Sequence, residues 1–273
     1  MLELPESYVF SAQLNKVLAG KTVVSCLANS TPHGFAFYAG DPALYPLMLT
    51  GKRILSVSPS GGLIEFDFGD IALTLGDGVT PKYFAPNEKL PTKHQLLLTF
   101  DNGASLACTI QMYGGMYAFL KETYDNFYYR VTKKKPSPLD EAFDRAYFDS
   151  LISEVKQSLS VKAFLATEQR IPGLGNGVLQ DILFNAGLSP KTKLNALDDA
   201  QKQLLFESVK QTLATMTKEG ARNTEKDVFG SFGGYKTILS KNTWQYQCPR
   251  CGGSIVREAY MGGNVYYCTN CQR

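Results

Sequence analysis

Apolar residues recur with a helical period at the start of the chain and then form short strand-like runs. Between residues 4 and 18 they recur every three or four positions, and Gly20 follows as a stop signal. From there to about residue 120, runs rich in β-branched and aromatic residues alternate with Gly, Pro, Asn and Asp, and Asp101-Asn102-Gly103 is a hairpin signal. The predicted strands are residues 22–27, 35–38, 54–57, 63–68, 71–75, 95–100 and 105–110. One helix with seven or more short strands predicts a β-sandwich or barrel with a helix packed on it.

A helical period returns after a polar segment. Residues 131–138 contain three consecutive lysines and two prolines, which predicts a linker. The helices predicted after it span residues 139–151, 161–168, 177–186 and 198–218. The chain therefore has an α+β multidomain pattern, and its predicted parts are residues 1–130, the linker 131–138, a helical domain 139–240 and a cysteine-bearing segment 241–273.

Composition and charge exclude several classes of protein. The chain has 273 residues, of which 44% are apolar and 19% charged, so it is not a disordered chain. It has no apolar stretch as long as a transmembrane helix, and its N-terminus lacks the basic leader of a secretory signal, so we expect a cytoplasmic location without membrane contact. The net charge is only +3, but residues 187–273 carry an excess of five positive charges. This excess fits either ordinary surface variation or binding to a polyanion.

Four of the six cysteines lie in the last 26 residues, as two Cys-x₂-Cys pairs separated by sixteen residues. They are Cys248, Cys251, Cys268 and Cys271. Each pair forms a tight knuckle, and two knuckles complete a tetrahedron around one structural zinc ion. Two disulfides are the alternative, which the lack of a secretory signal disfavours. Cys26 and Cys108 lie in apolar strands, and we expect them to be buried thiols.

A glycine-rich turn, residues 173–177, opens an amphipathic helix. Backbone N–H groups at such a helix start can bind an anion or a phosphate, although a plain helix cap is the common explanation. Residues 168–190 around this turn resemble the helix–two-turn–helix signature of the formamidopyrimidine-DNA glycosylase and endonuclease VIII family of base-excision repair proteins. Glu3-Leu4-Pro5-Glu6, residues 227–236 and the cysteine module resemble the same family, in the same order along the chain.

The resemblance implies an architecture and a partner. The expected fold is an N-terminal helix plus β-sandwich, a helical domain with the helix–two-turn–helix, and a C-terminal four-cysteine zinc finger. The expected partner of the monomer is double-stranded DNA with a damaged or abasic nucleotide, held in a cleft between lobes with that nucleotide extruded. Asn176, with Gly175 before it, is expected to bind the DNA phosphate. In the lesion-contacting loop, residues 224–238, Tyr235 and Lys236 are the candidates to face the extruded base or its phosphate.

The sequence departs from the family at the positions that carry its chemistry. The family's nucleophile is an N-terminal proline exposed by removal of the initiator methionine, whereas this chain has Leu2, which predicts that Met1 is retained. The terminal group is then the primary amine of Met1, one residue further out, and a primary amine can form a Schiff base, so Met1 and Leu2 stay candidates for the catalytic terminus. Gly62 stands where the family has a DNA-contacting lysine, and Gly263 stands where the zinc finger has an arginine. These changes remove cations that bind phosphate.

The residues that fill the gap left by a flipped nucleotide also differ. Gln111 or Met112 stands for the family's arginine, and Tyr113 stands for its phenylalanine. Tyr113 is equally well explained as a stacking wedge and as a buried strand aromatic.

Two carboxylates remain for catalysis, Glu3 and Glu6. Glu6 is expected to support the helix start, and Glu3 to assist a water molecule in attacking the sugar. The predicted function is that of a DNA glycosylase with weak or absent lyase activity. The alternatives are a catalytically inactive protein that binds lesion DNA and a protein-interaction module built on the same scaffold.

Overall fold

The computed structural model describes residues 2–273, and Met1 lies outside the described residues. The chain forms two compact units. The first unit contains the chain up to Arg130 together with Thr224–Gly233, and the second contains Val131–Asn223 together with Gly234–Arg273. Every helix in residues 2–273 is too short or too polar to cross a membrane.

The first unit combines helix α1 (Leu4–Leu18) with two β-sheets. One sheet has four strands in the order β1-β7-β8-β6, and the other has five in the order β2-β9-β5-β4-β3. All strand pairs are antiparallel except β2 with β9. The strands are β1 (Val23–Ala28), β2 (Ala36–Tyr38), β3 (Ser56–Ser60), β4 (Leu63–Asp67), β5 (Ile71–Leu75), β6 (Val79–Phe84), β7 (Leu96–Phe100), β8 (Ser105–Ile110) and β9 (Gly114–Leu120).

Helix α1 lies on the sheet that contains β3 and β4. Its apolar side chains Phe10, Leu14 and Leu18 are buried, as the helical period of the sequence predicts. A short helix, α2 (Tyr45–Leu49), packs against β1. The predicted helix and sandwich are thus confirmed.

Two strands of this unit were not predicted. Strand β6 contains Pro81, and strand β9 begins with Gly114-Gly115, and both residue types are usually signals against a strand. Proline is tolerated in β6 because that strand lies at the edge of its sheet.

The second unit is helical and ends in a two-stranded hairpin. Helices α4–α7 are Arg145–Ser153, Val161–Ala166, Asn176–Asn185 and Asp199–Lys218, and the hairpin strands are β10 (Ile255–Tyr260) and β11 (Gly263–Cys268). Asp144, Ser160 and Asp198 cap three of these helices with side-chain hydrogen bonds, which explains where they start.

The segment predicted as a linker is partly helical. Helix α3 (Phe127–Lys134) covers its first four residues. The side chain of Asn126 accepts a hydrogen bond from the backbone N–H of Tyr129 at the helix start, and the Tyr129 ring packs against Phe119 and Tyr124. Contacts with the sheet therefore support a helix that the run of lysines and prolines obscures in the sequence.

Candidate functional site

The start of helix α1 is buried, and its two glutamates bind each other's backbone. The Glu3 side chain accepts the N–H of Glu6, and the N–H of Glu3 donates to Glu6 Oε2 at 3.2 Å. This reciprocal capping box satisfies two N–H groups that a helix start would otherwise leave unpaired. Glu3 is 3% exposed and Leu2 is 4% exposed. Both glutamates thus stabilise the helix start, whereas the sequence assigned that role to Glu6 alone.

The loop that carries Gly62 lies against this helix start. The hydroxyl of Ser7 lies 2.6 Å from the carbonyl oxygen of Gly61 and 2.9 Å from that of Leu4. Gly62 follows directly and is the last residue of the turn that joins β3 to β4. The position at which the family has a lysine is therefore near Glu3, and here it carries no side chain.

A tyrosine and an aspartate meet in the same unit. The hydroxyl of Tyr113 donates a hydrogen bond of 2.8 Å to Asp77 Oδ2. Partial burial, this hydrogen bond and the negative charges of Asp77 and Glu3 raise the pKa of Tyr113 to about 12. The phenol therefore stays protonated at neutral pH, close to the carboxylate of Glu3.

The turn before Tyr113 is exposed. Met112 is 69% exposed and Tyr113 is 39% exposed, and Gln111 is exposed beside them. Tyr113 is thus not a buried strand aromatic, which was one of its two explanations from the sequence. The sequence alone does not indicate a role for Asp77, because nothing in its local sequence shows that it faces residue 113.

In the second unit, Asn176 begins helix α6 and faces the β10–β11 hairpin. Its Nδ2 donates to the carbonyl oxygen of Asn264 at 2.9 Å. Gln180 Nε2 lies 3.2 Å from the same oxygen, and Gln180 Oε1 accepts the N–H of Tyr266. A side chain at Gly263 would lie about 3.3 Å from Asn176 Nδ2. The helix start at Gly175 and the hairpin turn are therefore one connected site.

The predicted lesion-contacting loop is divided between the two units. Asp227 Oδ1 accepts the N–H groups of Phe229 and Ser231, and its Oδ2 accepts Gln13 Nε2 at 2.9 Å. The N–H of Tyr83 on β6 donates to the carbonyl oxygen of Val228 at 2.8 Å. Residues 224–233 are thus fixed to the first unit.

Tyr235 and Lys236 belong to the second unit and differ in their exposure to solvent. Lys236 is exposed. Tyr235 is buried, and its hydroxyl hydrogen-bonds to the buried carboxylate of Asp181, which also accepts the N–H groups of Ile238 and Leu239 at 2.8 Å. Tyr235 therefore supports this segment, because a buried carboxylate needs its hydrogen bond.

The four C-terminal cysteines converge on one point. Their sulfur atoms all lie within 4.8 Å of one another, and none of the four is in a disulfide. Thiolates at the Zn–S distance of about 2.3 Å are about 3.8 Å apart in a tetrahedron, and the Cys248–Cys271 and Cys251–Cys268 sulfurs are 3.8 and 3.5 Å apart. The N–H of Gly253, together with hydrogen bonds from the other three cysteines, lowers the pKa of Cys251 to about 7. The donor set therefore fits a structural zinc finger.

Comparisons with known proteins agree with this architecture. Residues 135–227 match the family model described as the formamidopyrimidine-DNA glycosylase H2TH domain. A formamidopyrimidine-DNA glycosylase of Lactobacillus delbrueckii subsp. bulgaricus is 27% identical over 286 residues, with 100% of both chains covered. The structure of Lactococcus lactis Fpg in complex with abasic-site DNA gives a TM-score of 0.85 at 23% identity, with 99% of each chain covered. The same Fpg (MutM) in complex with N7-benzyl-Fapy-dG DNA gives 0.83 at 25% identity, again with 99% of each chain covered.

The fold and the comparisons together define the class of this protein. It is an α+β protein with an N-terminal β-sandwich, an H2TH helical domain and a C-terminal four-cysteine cluster. Within that class, the chain is similar over its whole length to formamidopyrimidine-DNA glycosylases of the Fpg/MutM family. The resemblance inferred from the sequence motifs is thus confirmed.

Proposed function

We propose that the chain is a DNA-repair glycosylase that binds DNA with a damaged or abasic nucleotide and removes a damaged base. The observation that carries this proposal is the carboxylate of Glu3 at the start of α1, close to the exposed aromatic side chain of Tyr113. The similarity of the whole chain to formamidopyrimidine-DNA glycosylases supports the same function.

The proposed reaction is hydrolysis of the bond between the base and the sugar. Glu3 takes a proton from water, the water oxygen bonds to the sugar C1′, and the C1′–N bond breaks as the base leaves with its electron pair and takes up a proton. Leu2, which is buried, occupies the position of the family's proline. We therefore propose that lyase activity, which needs a covalent amine intermediate, is weak or absent.

The DNA contacts that we propose come from both units. In the first unit, Tyr113 stacks on a base next to the lesion and Gln111 contacts it from the same turn. In the second unit, Asn176 and Gly175 at the start of α6 bind a phosphate, and Lys236 adds a cation.

We propose one structural zinc ion at Cys248, Cys251, Cys268 and Cys271. Four thiolates leave no open position for a water ligand, so the ion has a folding role and no catalytic role. It would fix the β10–β11 hairpin, whose residue Asn264 accepts the hydrogen bond from Asn176. The ion thereby supports the proposed phosphate site.

A second candidate is a catalytically inactive protein that binds lesion DNA. It is favoured by a specific observation, namely that the Glu3 carboxylate is buried and accepts a backbone N–H in the capping box. A carboxylate in that position has a structural role whether or not it also acts on water.

The test is incubation with a library of lesion-containing duplexes, with released bases identified by mass spectrometry. Glu3→Gln keeps an acceptor for the capping box but cannot take up a proton at neutral pH, so we expect DNA binding without base release. Glu88→Gln, an exposed carboxylate in the first unit, is the matched control and should retain release. Release by Glu3→Gln would remove Glu3 from the mechanism, and binding without any product from the unmodified protein would favour the second candidate.

Borohydride trapping with abasic-site DNA tests the covalent reaction separately. Reduction fixes a Schiff base as a stable protein–DNA crosslink, so the proposal predicts little or no crosslink. Efficient crosslinking would contradict the water-attack mechanism and would show that an amine of this chain reaches C1′.

A further inference from the structure

Two turns of the first unit interlock at Tyr113. One turn joins β5 to β6 at Gly76-Asp77-Gly78, and the other joins β8 to β9 at residues 111–113. The N–H of Gly76 donates to the carbonyl oxygen of Gly115 at 2.8 Å. Gly78 has φ +79°, and a Cβ atom at this position would overlap the carbonyl oxygen of Tyr113. The backbone of each turn therefore restricts the other.

The side chains of the two turns are also joined. The hydroxyl of Tyr113 donates to Asp77 Oδ2 at 2.8 Å, while 39% of the Tyr113 side chain stays exposed. A tyrosine ring has two torsions, and here the backbone holds one end of the side chain and Asp77 holds the other. The ring is thus exposed but restrained.

We propose that Asp77 is a positioning residue that holds the ring of Tyr113 in the orientation in which it stacks on a base next to a lesion. This inference rests on the proposed function, because it assigns Tyr113 a DNA contact. A stacking side chain that is already ordered loses less conformational entropy when DNA binds. Phenylalanine could stack at the same position, but it could not be held by Asp77.

The charge of Asp77 makes it possible to distinguish a positioning role from a purely electrostatic effect on DNA binding. A carboxylate near DNA repels phosphate. Removing the negative charge of Asp77 should therefore, taken alone, strengthen DNA binding. If Asp77 acts by holding Tyr113, the variant that keeps the acceptor and the variant that loses it should behave differently. Asp77→Asn keeps an oxygen acceptor without the charge, whereas Asp77→Leu removes both.

The experiment uses the full chain and a duplex with 2-aminopurine next to a tetrahydrofuran abasic analogue, since an aromatic ring stacked on the probe lowers its fluorescence. We expect quenching by the unmodified protein and by Asp77→Asn. We expect Asp77→Leu and Tyr113→Phe each to reduce the quenching and to bind about fivefold more weakly, the fold-change for ordering one free side chain on binding. The double variant should resemble either single variant, because both remove the same interaction.

Asp70→Leu is the matched control, because Asp70 is an exposed aspartate in another turn of the same unit. Equal quenching by the unmodified protein, Asp77→Leu and Tyr113→Phe would overturn the positioning role, and so would losses that multiply in the double variant. If Asp77→Leu does not fold, Tyr113→Phe and Asp77→Asn decide the question alone. Failure of the unmodified protein to bind the abasic duplex is a different result, because it overturns the proposed function.

A measurement without DNA tests the interaction between Asp77 and Tyr113 separately from the proposed DNA binding. In NMR titration of tyrosine-labelled protein, the pKa of Tyr113 should be about 12 in the unmodified protein and lower in Asp77→Asn, which has lost the negative charge. An unchanged Tyr113 titration in that variant would show that the two side chains do not interact in solution, and would overturn the proposal even if the protein binds DNA.

Discussion

The cysteine module and the cluster around Tyr113 show two ways in which one chain builds a site. The four cysteines lie within 24 residues, and their spacing alone predicts that their sulfur atoms converge. Asp77 and Tyr113 lie far apart in sequence and form a hydrogen bond only because two hairpin turns bring them together, and the charge of Glu3, from a helix start still further away in sequence, acts on Tyr113. The first site can be read from a motif, whereas the second depends on the topology of the first unit.

The same difference should govern how each site fails. One ion would hold the module, so the loss of any ligand removes the interaction that all four share. The cluster instead depends on separate hydrogen bonds and close backbone contacts, each with a modest free energy. A single substitution of a cysteine should therefore unfold the whole module, whereas a single substitution in the cluster should remove one interaction and leave the others in place.

The largest expected effect is that of Cys268→Ser. We expect one zinc ion per chain in the unmodified protein, loss of zinc in the variant, and loss of the ordered β10–β11 hairpin, because metal binding is the folding free energy of such modules. Zinc content is measured by emission spectrometry and hairpin order by amide NMR. Cys26→Ala, which removes another buried thiol, should retain the ion. Full zinc content in Cys268→Ser would show that the four sulfur atoms do not act together.

The next effect tests the interlocked turns. Gly78→Ala should lower the free energy of unfolding by about 4 kcal/mol, because it adds a left-handed backbone penalty to an overlap with the Tyr113 carbonyl oxygen. Gly40→Ala has the same backbone penalty at φ +66° but open space around the new Cβ atom, so it should cost only about 1 kcal/mol. Chemical denaturation measures both. Equal losses would mean that the two turns do not constrain each other.

The sequence predicts more of the fold than of this cluster, for physical reasons. Helix α1 and strands β5 and β8 match their predicted limits, because their hydrophobic periods reflect burial on one face. Pro81 and Gly114-Gly115 conceal β6 and β9, because tertiary pairing outweighs their local preferences. Asp77 and Asp181 were missed altogether. Tyr113 and Tyr235, with which they form hydrogen bonds, lie far from them in sequence, so the signal in the sequence was a carboxylate within an otherwise apolar or glycine-rich stretch.

Asp181 provides the third prediction, a pH dependence. Burial raises its pKa from 3.8 to about 6, although the N–H groups of Ile238 and Leu239 and the Tyr235 hydroxyl oppose the shift. Because the folded-state pKa is raised, the stabilising contribution of Asp181 is complete below about pH 4 and is lost as the pH rises through 6. The difference in unfolding free energy between the unmodified protein and Asp181→Asn should thus fall by about 3 kcal/mol between pH 4 and 8.

The control for this pH dependence is Glu141→Gln, which changes an exposed carboxylate of the same unit. Its difference from the unmodified protein should stay nearly constant over this pH range. A rise in the Asp181→Asn difference with pH would reverse the sign of the effect, and would mean that the hydrogen bonds to the charged carboxylate outweigh its desolvation.

The smallest expected effect concerns residues 224–233. This loop is fixed to the first unit by residues that lie far from it in sequence. Gln13→Ala removes the hydrogen bond from α1 to Asp227 and should cost about 1 kcal/mol, while Asp227 keeps its bonds to the N–H groups of Phe229 and Ser231. We expect faster hydrogen exchange confined to residues 224–233. Lys16→Ala, one turn further along α1 and exposed, should leave the exchange unchanged. If Gln13→Ala also leaves it unchanged, the Tyr83–Val228 backbone hydrogen bond holds the loop without α1, and its attachment is then local to β6.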